Sequence, residues 1–199
     1  MIKHVLFDLG GVLVNLNYEA FFKSLAELFH ISVDELARHK GNELHFEYMR
    51  GMMDGKTYVD KIARLYNHEI KLTKFLPAWV RIIDGQKDDV AKIVFQLQPN
   101  VSLSLLSNTD PWHYEYCMRE YPVMLAFSRF FLSFQYKFMK PDAAFYQAVN
   151  DKLAVKPDEC VFIDDTLENI ESARNFGWYG IHFQSAEQLG RELVKLKLM

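Results

Sequence analysis

The sequence lacks most of the features that mark secreted and membrane proteins. It has two cysteines in 199 residues, Cys117 and Cys160, too few for a disulfide framework and wrongly spaced for zinc. Both lie among apolar residues and are expected to pack in a core. No apolar run is long enough to span a bilayer. Asp8 interrupts the N-terminal apolar run too early for a signal peptide. We therefore expect a soluble, cytoplasmic protein with no membrane partner.

The chain also lacks an excess of basic residues, internal repeats and low-complexity segments. Its formal net charge is −3, whereas a nucleic-acid-binding domain is expected to carry a basic excess. No nucleic-acid partner is therefore expected. Half of the residues are hydrophobic and a quarter are charged, the ordinary balance of a globular protein. The length suffices for one core domain and a small insert, while the sequence leaves the oligomeric state open.

The chain is organised around its first predicted strand, residues 2–7. Its residues are apolar enough for a buried parallel strand, which ends in Asp8 and is followed by Gly10 and Gly11. A carboxylate at that position is costly to bury unless it is used, and glycines permit a sharp turn beside a ligand. Ligands of open α/β sheets bind at the carboxyl ends of the strands. Asp8 is thus a candidate for chemistry, with a turn aspartate that caps the next segment as the alternative.

Three later stretches follow the same pattern. They are an apolar run over 101–106 before Ser107 and Asn108, the helix start Lys140-Pro141-Asp142, and a strand over 161–163 before Asp164 and Asp165. The segments FDLGGVL, LLSN, KPD and FIDD, in this order, resemble the four motifs of the haloacid dehalogenase (HAD) superfamily of phosphohydrolases. The nearest resemblance is to the sugar-phosphate phosphatase branch, whose first motif also reads FDLG. The motifs extend over nearly the whole chain.

The alternation of strands and helices predicts an α/β fold, a parallel sheet with helices on both faces. The resemblance implies a Rossmann-like strand order with the first strand in the centre. Residues 16–84, here called the helical insert, show helical periodicity and no convincing strand. We expect a core of residues 1–15 and 85–199 and a cap of residues 16–84. The resemblance implies a cap of the C1 type, which covers the active site and shapes the substrate pocket.

Several helix ends can also be predicted. Ser32 with Glu35 forms a capping box for a helix that ends at Gly41. Thr57 is expected to cap the next long helix of the insert. Pro141 is expected in the first turn of a helix over 142–153, where proline is well tolerated.

The resemblance implies a role for each motif residue. Asp8 would attack phosphorus and form an aspartyl-phosphate that water then hydrolyses. Ser107 would donate its hydroxyl to a phosphate oxygen, and the backbone N–H of Asn108 would face the phosphate. Lys140 would offset charge on Asp8 and on the phosphate together. The predicted catalytic residues are Asp8, Ser107 and Lys140, and the predicted phosphate-binding residues are Gly10, Ser107, Asn108 and Lys140.

A cation is expected beside these residues. The like charges of Asp8, Asp164 and Asp165 destabilise one another unless a cation joins them, and hard oxygen ligands with a phosphate substrate indicate Mg²⁺. The resemblance adds the backbone carbonyl of Gly10 as a ligand. Asp165 is favoured as a direct ligand and Asp164 as a direct or water-mediated one. The alternative for this pair is a helix N-cap beside the helix dipole.

One residue departs from the family pattern in a way that affects the chemistry. The commonest phosphatase motif places a second aspartate two residues after the nucleophile as general acid and base, where this chain has Gly10. His113, which follows the second motif, is either a pocket residue or an ordinary surface residue.

These residues favour a Mg²⁺-dependent phosphomonoester hydrolase acting on a small phosphorylated metabolite, with sugar phosphates as candidates. A non-catalytic or weakly active phosphate-binding protein of the same fold is an alternative because of Gly10. A metal-free 2-haloacid dehalogenase is a further alternative, although it has no use for the pair Asp164 and Asp165.

Overall fold

Seven strands are formed by the residues that the computed structural model describes, which are 1–38, 43–97, 99 and 101–199. The strands are β1 (His4–Phe7), β2 (Val14–Leu16), β3 (Ile83–Gln86), β4 (Ser102–Ser107), β5 (Arg129–Leu132), β6 (Cys160–Asp164) and β7 (Tyr179–His182). Five of them form one parallel sheet in the order β5-β4-β1-β6-β7. The first strand is therefore central, as the resemblance implied.

The described residues also form eleven α-helices. They are α1 (Tyr18–Phe29), α2 (Val33–Ala37), α3 (Glu43–Met49), α4 (Gly55–Leu65), α5 (Leu72–Trp79), α6 (Asp88–Leu97), α7 (Pro111–Glu120), α8 (Ser133–Tyr136), α9 (Ala143–Leu153), α10 (Leu167–Phe176) and α11 (Ala186–Lys195). None of these helices is long and apolar enough to cross a membrane.

Helices cover both faces of the parallel sheet because successive side chains of a strand point to opposite faces. Val5 and Phe7 of β1 belong to the buried cluster that includes residues of α6 and α11, whereas Leu6 belongs to the cluster that includes residues of α9 and α10. All three side chains are fully buried. The predicted Rossmann-like fold class is confirmed.

The helical insert has a hydrophobic core of its own, formed by aromatic side chains of several short helices. Phe29 of α1, Tyr58 of α4, Phe75 and Trp79 of α5 are all nearly or completely buried in this cluster. The division of the chain into a core and a cap stays a prediction. Gly41, the predicted end of α2, lies outside the described residues.

The expectation that the insert contains no strand is wrong at both of its boundaries, residue 16 and residues 83–84. β2 and β3 pair as an antiparallel ribbon, with a register irregularity between Val14 and Leu16. The sequence of β3 is Ile-Asp-Gly-Gln, which lacks the alternation of apolar and polar residues by which a strand is usually recognised. Its Gly85 has φ +89°, which is also unusual in a strand. The ribbon carries the chain between the sheet and the insert in both directions.

Two helices begin at other residues than predicted, because a nearby aspartate is the N-cap. The N-cap of α4 is Asp54, whose side chain accepts a hydrogen bond from the backbone N–H of Thr57, so Thr57 is not the cap. The N-cap of α9 is Asp142, which accepts from the N–H of Ala144, and Pro141 therefore precedes the helix. In both places an aspartate satisfies an otherwise unpaired N–H of the first turn.

Candidate active site

The ends of three adjacent strands bring the predicted site residues together. Asp8 follows β1, Ser107 ends β4, and Asp164 ends β6, and β4 and β6 flank β1 in the sheet. Because the strands are parallel, their carboxyl ends meet at one edge of the sheet. All three residues are buried, so their side chains must be satisfied by protein contacts or by a ligand.

The Asp8 carboxylate is held through one of its oxygens. Oδ1 accepts a hydrogen bond from the N–H of Leu9 at 2.7 Å and lies 2.9 Å from the ammonium of Lys140. Burial raises the pKa of Asp8 to about 7, an effect that Lys140 opposes and Asp164 strengthens. These two contacts with described residues both fall on Oδ1 and not on Oδ2.

Lys140 joins two of the carboxylates. Its Nζ lies 2.7 Å from Oδ2 of Asp164, and it also donates to the carbonyl of Leu106 at 3.0 Å. Burial acts to lower the pKa of Lys140, but the neighbouring Asp8 and Asp164 raise it above its ordinary value. Lys140 is therefore a buried positive charge whose Nζ lies within 3.0 Å of three oxygen atoms of the protein.

Asn108 fixes the backbone of Lys140, a role that sequence analysis missed. Its side-chain amide donates to the carbonyl of Lys140 and its side-chain oxygen accepts from the N–H of Lys140, both at 2.8 Å. The second and third motifs are thereby joined by a reciprocal pair of hydrogen bonds. The two residues are 32 positions apart, so no local spacing indicates this contact.

The two carboxylates after β6 differ in how strongly the protein engages them. Asp164 is fully buried and receives hydrogen bonds from the N–H of Thr166 and from the side chain of Asn169, in addition to Lys140. Asp165 is exposed, although partial burial and the charge of Asp164 raise its pKa. Asp165 thus has the freer carboxylate, and Asn169 positions Asp164.

A glycine provides the space for the Asp165 side chain. Gly11 has φ +76°, and a Cβ at this position would lie 2.1 Å from Oδ2 of Asp165. Such a distance is far shorter than any van der Waals contact. The backbone conformation therefore favours glycine at position 11, and any larger residue would displace the Asp165 side chain.

The donor set fits a divalent cation. Asp8, Asp164 and Asp165 each offer a carboxylate oxygen within 4.8 Å of the others. Three carboxylates with the single ammonium of Lys140 leave a formal charge of −2 (3 negative, 1 positive) in a largely buried place. A hard divalent ion with oxygen ligands balances this charge and favours the ionised form of Asp8.

A cavity of about 360 Å³ lies beside these residues, between the helical insert and the sheet. Gly10, Ser107 and Asn108 line it at the sheet end, next to Asp8. The predicted phosphate-binding residues other than Lys140 thus line one cavity, while Lys140 is not among the described lining residues and contacts Asp8 and Asp164 instead. The volume of the cavity is at the lower end of the range of about 300–1,000 Å³ that is usual for small-molecule sites.

His113 also lines this cavity and connects the insert to the sheet domain. Its Nδ1 lies 2.6 Å from Oδ2 of Asp110, its Nε2 lies 3.0 Å from the carbonyl of Trp79, and its ring stacks on the Trp79 indole. The indole N–H in turn donates to Asp110 at 3.1 Å. We call these three residues the Asp110–His113–Trp79 bridge. Both ring nitrogens of His113 face acceptors, so the doubly protonated imidazolium is the form that satisfies the bridge.

The charges of the bridge stabilise each other. Burial acts to lower the pKa of His113, but Asp110 raises it above its ordinary value. Burial acts to raise the pKa of Asp110, and His113 lowers it below its ordinary value. His113 therefore contributes stability that is complete below its unfolded-state pKa of about 6.5 and is lost as the pH rises through its raised folded-state pKa. His45, whose pKa burial lowers, also lies near Asp110.

Because the pKa of His113 is raised in the folded state, we expect the free energy of unfolding to depend on pH. Between the unfolded-state and folded-state pKa values of His113, the folded state binds the extra proton. The free energy of unfolding should then fall by up to about 1.4 kcal/mol per pH unit as the pH rises. The measurement is chemical denaturation of the wild-type protein and of His113→Gln at a series of pH values above 6. The variant should lose this slope.

The matched control for this measurement is His30→Gln, which replaces an exposed histidine of the insert. It should retain the wild-type slope. An unchanged slope in His113→Gln would show that the bridge does not carry the charge that its geometry indicates.

The comparisons with known proteins cover almost the whole chain. The profile of the haloacid dehalogenase-like hydrolase family matches residues 2–177. A D-ribitol-5-phosphate phosphatase of Bacteroides thetaiotaomicron is 24% identical over 203 residues, which are 98% of each chain. A drimenol cyclase of Aspergillus calidoustus is 25% identical over 206 residues, which are 98% of this chain and 37% of that protein. This chain thus spans little more than a third of the second relative.

A solved structure of similar fold contains ligands. It is a HAD family enzyme of Bacteroides thetaiotaomicron in complex with magnesium and inorganic phosphate. It superposes with a TM-score of 0.85 at 23% identity, over 92% of this chain and 95% of that one. The likeness establishes that the two proteins share their fold.

Proposed function

Because the chain belongs to the haloacid dehalogenase-like hydrolase family, we propose that it hydrolyses a phosphate monoester of a small metabolite with Mg²⁺ as its cofactor. The observation that carries this proposal is the cluster of Asp8, Asp164 and Asp165, with carboxylate oxygens within 4.8 Å of one another and Lys140 beside them. A relative that is a sugar-alcohol phosphate phosphatase, and a solved structure of this fold with magnesium and phosphate, support the same reaction class.

In the proposed reaction, Oδ2 of Asp8 attacks phosphorus and the bond between phosphorus and the ester oxygen breaks. The leaving oxygen takes a proton from water, because Gly10 offers no acid. Water then attacks phosphorus and gives a proton to the hydroxide left by the first step, inorganic phosphate is released and the Asp8 carboxylate is restored. The products are an alcohol and phosphate, and the ester and one water are consumed.

The other site residues would orient and balance charge. Lys140 holds Oδ1 of Asp8 and so directs the second oxygen to the substrate. Ser107 and the backbone N–H of Asn108 would bind phosphate oxygens at the sheet end of the cavity. For phosphoryl transfer, positioning and charge stabilisation of this kind provide most of the catalysis.

Asp8, Asp165 and the carbonyl of Gly10 would hold the cation directly, and Asp164 directly or through water. Bound Mg²⁺ supplies positive charge to the phosphate oxygens and to the attacking carboxylate. The hydrogen bonds of Asp164 to Lys140 and Asn169 favour Asp165 as the main acidic ligand after Asp8. The chain's own part is to keep three carboxylates together at one sheet edge.

Removal of the cation should abolish activity. Phosphate release from a panel of phosphorylated metabolites should stop in excess chelator and return when Mg²⁺ is added. In Asp165→Asn, the Mg²⁺ concentration for half-maximal activity should rise by more than about tenfold, because a ligand is weakened. Asp158→Asn, which changes an exposed aspartate outside the cluster, is the matched control and should behave as wild type.

Two outcomes of this assay would favour other functions. Phosphate release that persists in chelator would contradict the metal-dependent mechanism, whereas halide release from a 2-haloacid in chelator, with no phosphate release from the panel, would favour a metal-free dehalogenase. Binding of phosphate esters without any release of phosphate would favour a non-catalytic phosphate-binding protein, the alternative that Gly10 leaves open.

A further inference from the structure

The cavity beside Asp8 is lined mainly by hydrocarbon, although the site next to it is strongly polar. Seven of its lining residues are large aromatic side chains of the helical insert, three of them tyrosines: Tyr18, Phe21, Phe22, Phe46, Tyr58, Tyr66 and Trp79. Lysine and arginine are absent from its described lining residues. A pocket that recognises a chain of hydroxyl groups needs polar partners for them, since each buried hydroxyl without a partner is costly.

Three of the polar side chains of the cavity, Asn108, Asp110 and His113, are engaged with other parts of the protein. The amide of Asn108 is bonded to the backbone of Lys140 through both its oxygen and its nitrogen. Asp110 and His113 bind each other and Trp79. A polyol in this cavity would therefore have to compete with hydrogen bonds that already hold the site together.

An aliphatic side chain, that of Leu16, lies directly beside the first motif of the candidate active site. Leu16 packs against Gly10, and the Cβ that Gly10 lacks would lie 3.0 Å from Leu16 Cδ1. The position where many relatives of this chain are expected to have an acid is thus adjacent to an aliphatic side chain. An alcohol group that leaves from phosphorus at this end of the cavity enters an apolar environment.

We propose that the substrate is the phosphate monoester of a small apolar alcohol, with an aromatic or branched hydrocarbon group, and not a polyol phosphate. This inference rests on the proposed hydrolase function and adds the class of the leaving alcohol. The phosphate occupies the Asp8 end of the cavity, and the hydrocarbon group lies among the aromatic side chains of the insert. The specificity of this chain therefore differs from that of its ribitol-phosphate-hydrolysing relative.

The test compares two substrates that are both esters of primary alcohols. Phenethyl phosphate has an apolar alcohol group, and D-ribitol 5-phosphate has a polyol. With Mg²⁺ present, kcat/KM should be at least about tenfold higher for phenethyl phosphate than for D-ribitol 5-phosphate. A difference of a single methylene in a hydrophobic pocket already changes kcat/KM by about tenfold or more. Phenethyl alcohol should also inhibit the reaction at concentrations at which ribitol does not.

Substitutions of residues that line the cavity should reduce the preference for phenethyl phosphate over D-ribitol 5-phosphate. Phe22→Ser and Phe46→Ser each replace a hydrocarbon surface of the cavity by a hydroxyl, and Phe46 is sufficiently exposed that its replacement has little cost for folding. Each variant should reduce the ratio of the two kcat/KM values by about tenfold. Phe95→Ser, which changes an exposed phenylalanine of α6 outside the cavity, should leave the ratio unchanged.

The possible failures are distinguishable. A kcat/KM for D-ribitol 5-phosphate equal to or above that for phenethyl phosphate would overturn the inference and leave the hydrolase function intact. An unchanged ratio in both cavity variants would overturn it as well. If neither substrate nor p-nitrophenyl phosphate released phosphate with Mg²⁺ present, the proposed function itself would be contradicted.

Discussion

Asp8→Asn should reduce kcat for phosphate release by about 10⁴-fold or more, the scale on which enzymes lose activity when a nucleophile is removed. Asparagine has the shape of aspartate but no anionic oxygen to attack phosphorus. Its side-chain oxygen can still accept the hydrogen bond that Leu9 N–H donates to Oδ1. Lys140 keeps its contacts with Asp164 and with the carbonyl of Leu106. The variant should therefore fold, and circular dichroism checks this.

Asp89→Asn is a closely matched control for this substitution. Oδ1 of Asp89 accepts a hydrogen bond from the N–H of the following Val90 at 2.9 Å, as Oδ1 of Asp8 does from Leu9. Asp89 is exposed at the start of α6 and lies outside the carboxylate cluster. The control should retain wild-type kcat. A folded Asp8→Asn protein with more than a few per cent of wild-type activity would exclude Asp8 as the nucleophile.

Gly11→Ala should have the second largest effect, because it displaces a proposed metal ligand without changing a charge. The new Cβ would lie 2.1 Å from Oδ2 of Asp165, so that side chain has to move. We expect the Mg²⁺ concentration for half-maximal activity to rise by about 10- to 100-fold, the usual result of disturbing the support of a metal ligand. The measurement is a Mg²⁺ titration of activity, accompanied by calorimetric titration of Mg²⁺ binding.

Backbone strain at residue 11 requires a separate control, since alanine at φ +76° is itself unfavourable. Gly177→Ala provides it: Gly177 has φ +108°, and its missing Cβ would meet Pro157 Cβ at 3.1 Å, at the far end of α10. Both variants should lose about 1–3 kcal/mol of stability, but Gly177→Ala should keep the wild-type Mg²⁺ titration. A folded Gly11→Ala protein with a wild-type titration would mean that Asp165 does not contribute to metal binding.

The position of the candidate site could be predicted from the sequence because it depends on local patterns and one topological rule. Apolar runs that end in Asp8, Ser107 and Asp164 predict strands, and the carboxyl ends of neighbouring parallel strands meet. The roles of the individual residues stay predictions. The side-chain amide of Asn108 was not assigned the task that it performs, which is to hold the backbone of Lys140.

The contacts between the insert and the sheet domain could not be predicted. Asp110 has the sequence signature of an N-cap and is one, since it accepts from the N–H groups of Trp112 and His113. Its second role, to bind Trp79 and the ring of His113, depends on how helices α5 and α7 pack, and the pattern along the chain does not encode this. The ribbon of β2 and β3 was missed for another reason, since strands of three and four residues with a glycine show little periodicity.

The proposed mechanism depends on the transfer of phosphate to Asp8, and this step can be tested by trapping the aspartyl-phosphate. The protein is mixed with p-nitrophenyl phosphate and Mg²⁺, quenched rapidly with acid, and treated with borohydride, which reduces an acyl phosphate to an alcohol. Mass spectrometry of the peptides should then find homoserine in place of Asp8, and Asp8→Asn should show no such product. Phosphate released in a single turnover with Asp8 unmodified, or a phosphorylated residue elsewhere in the chain, would contradict the role of Asp8 as the nucleophile.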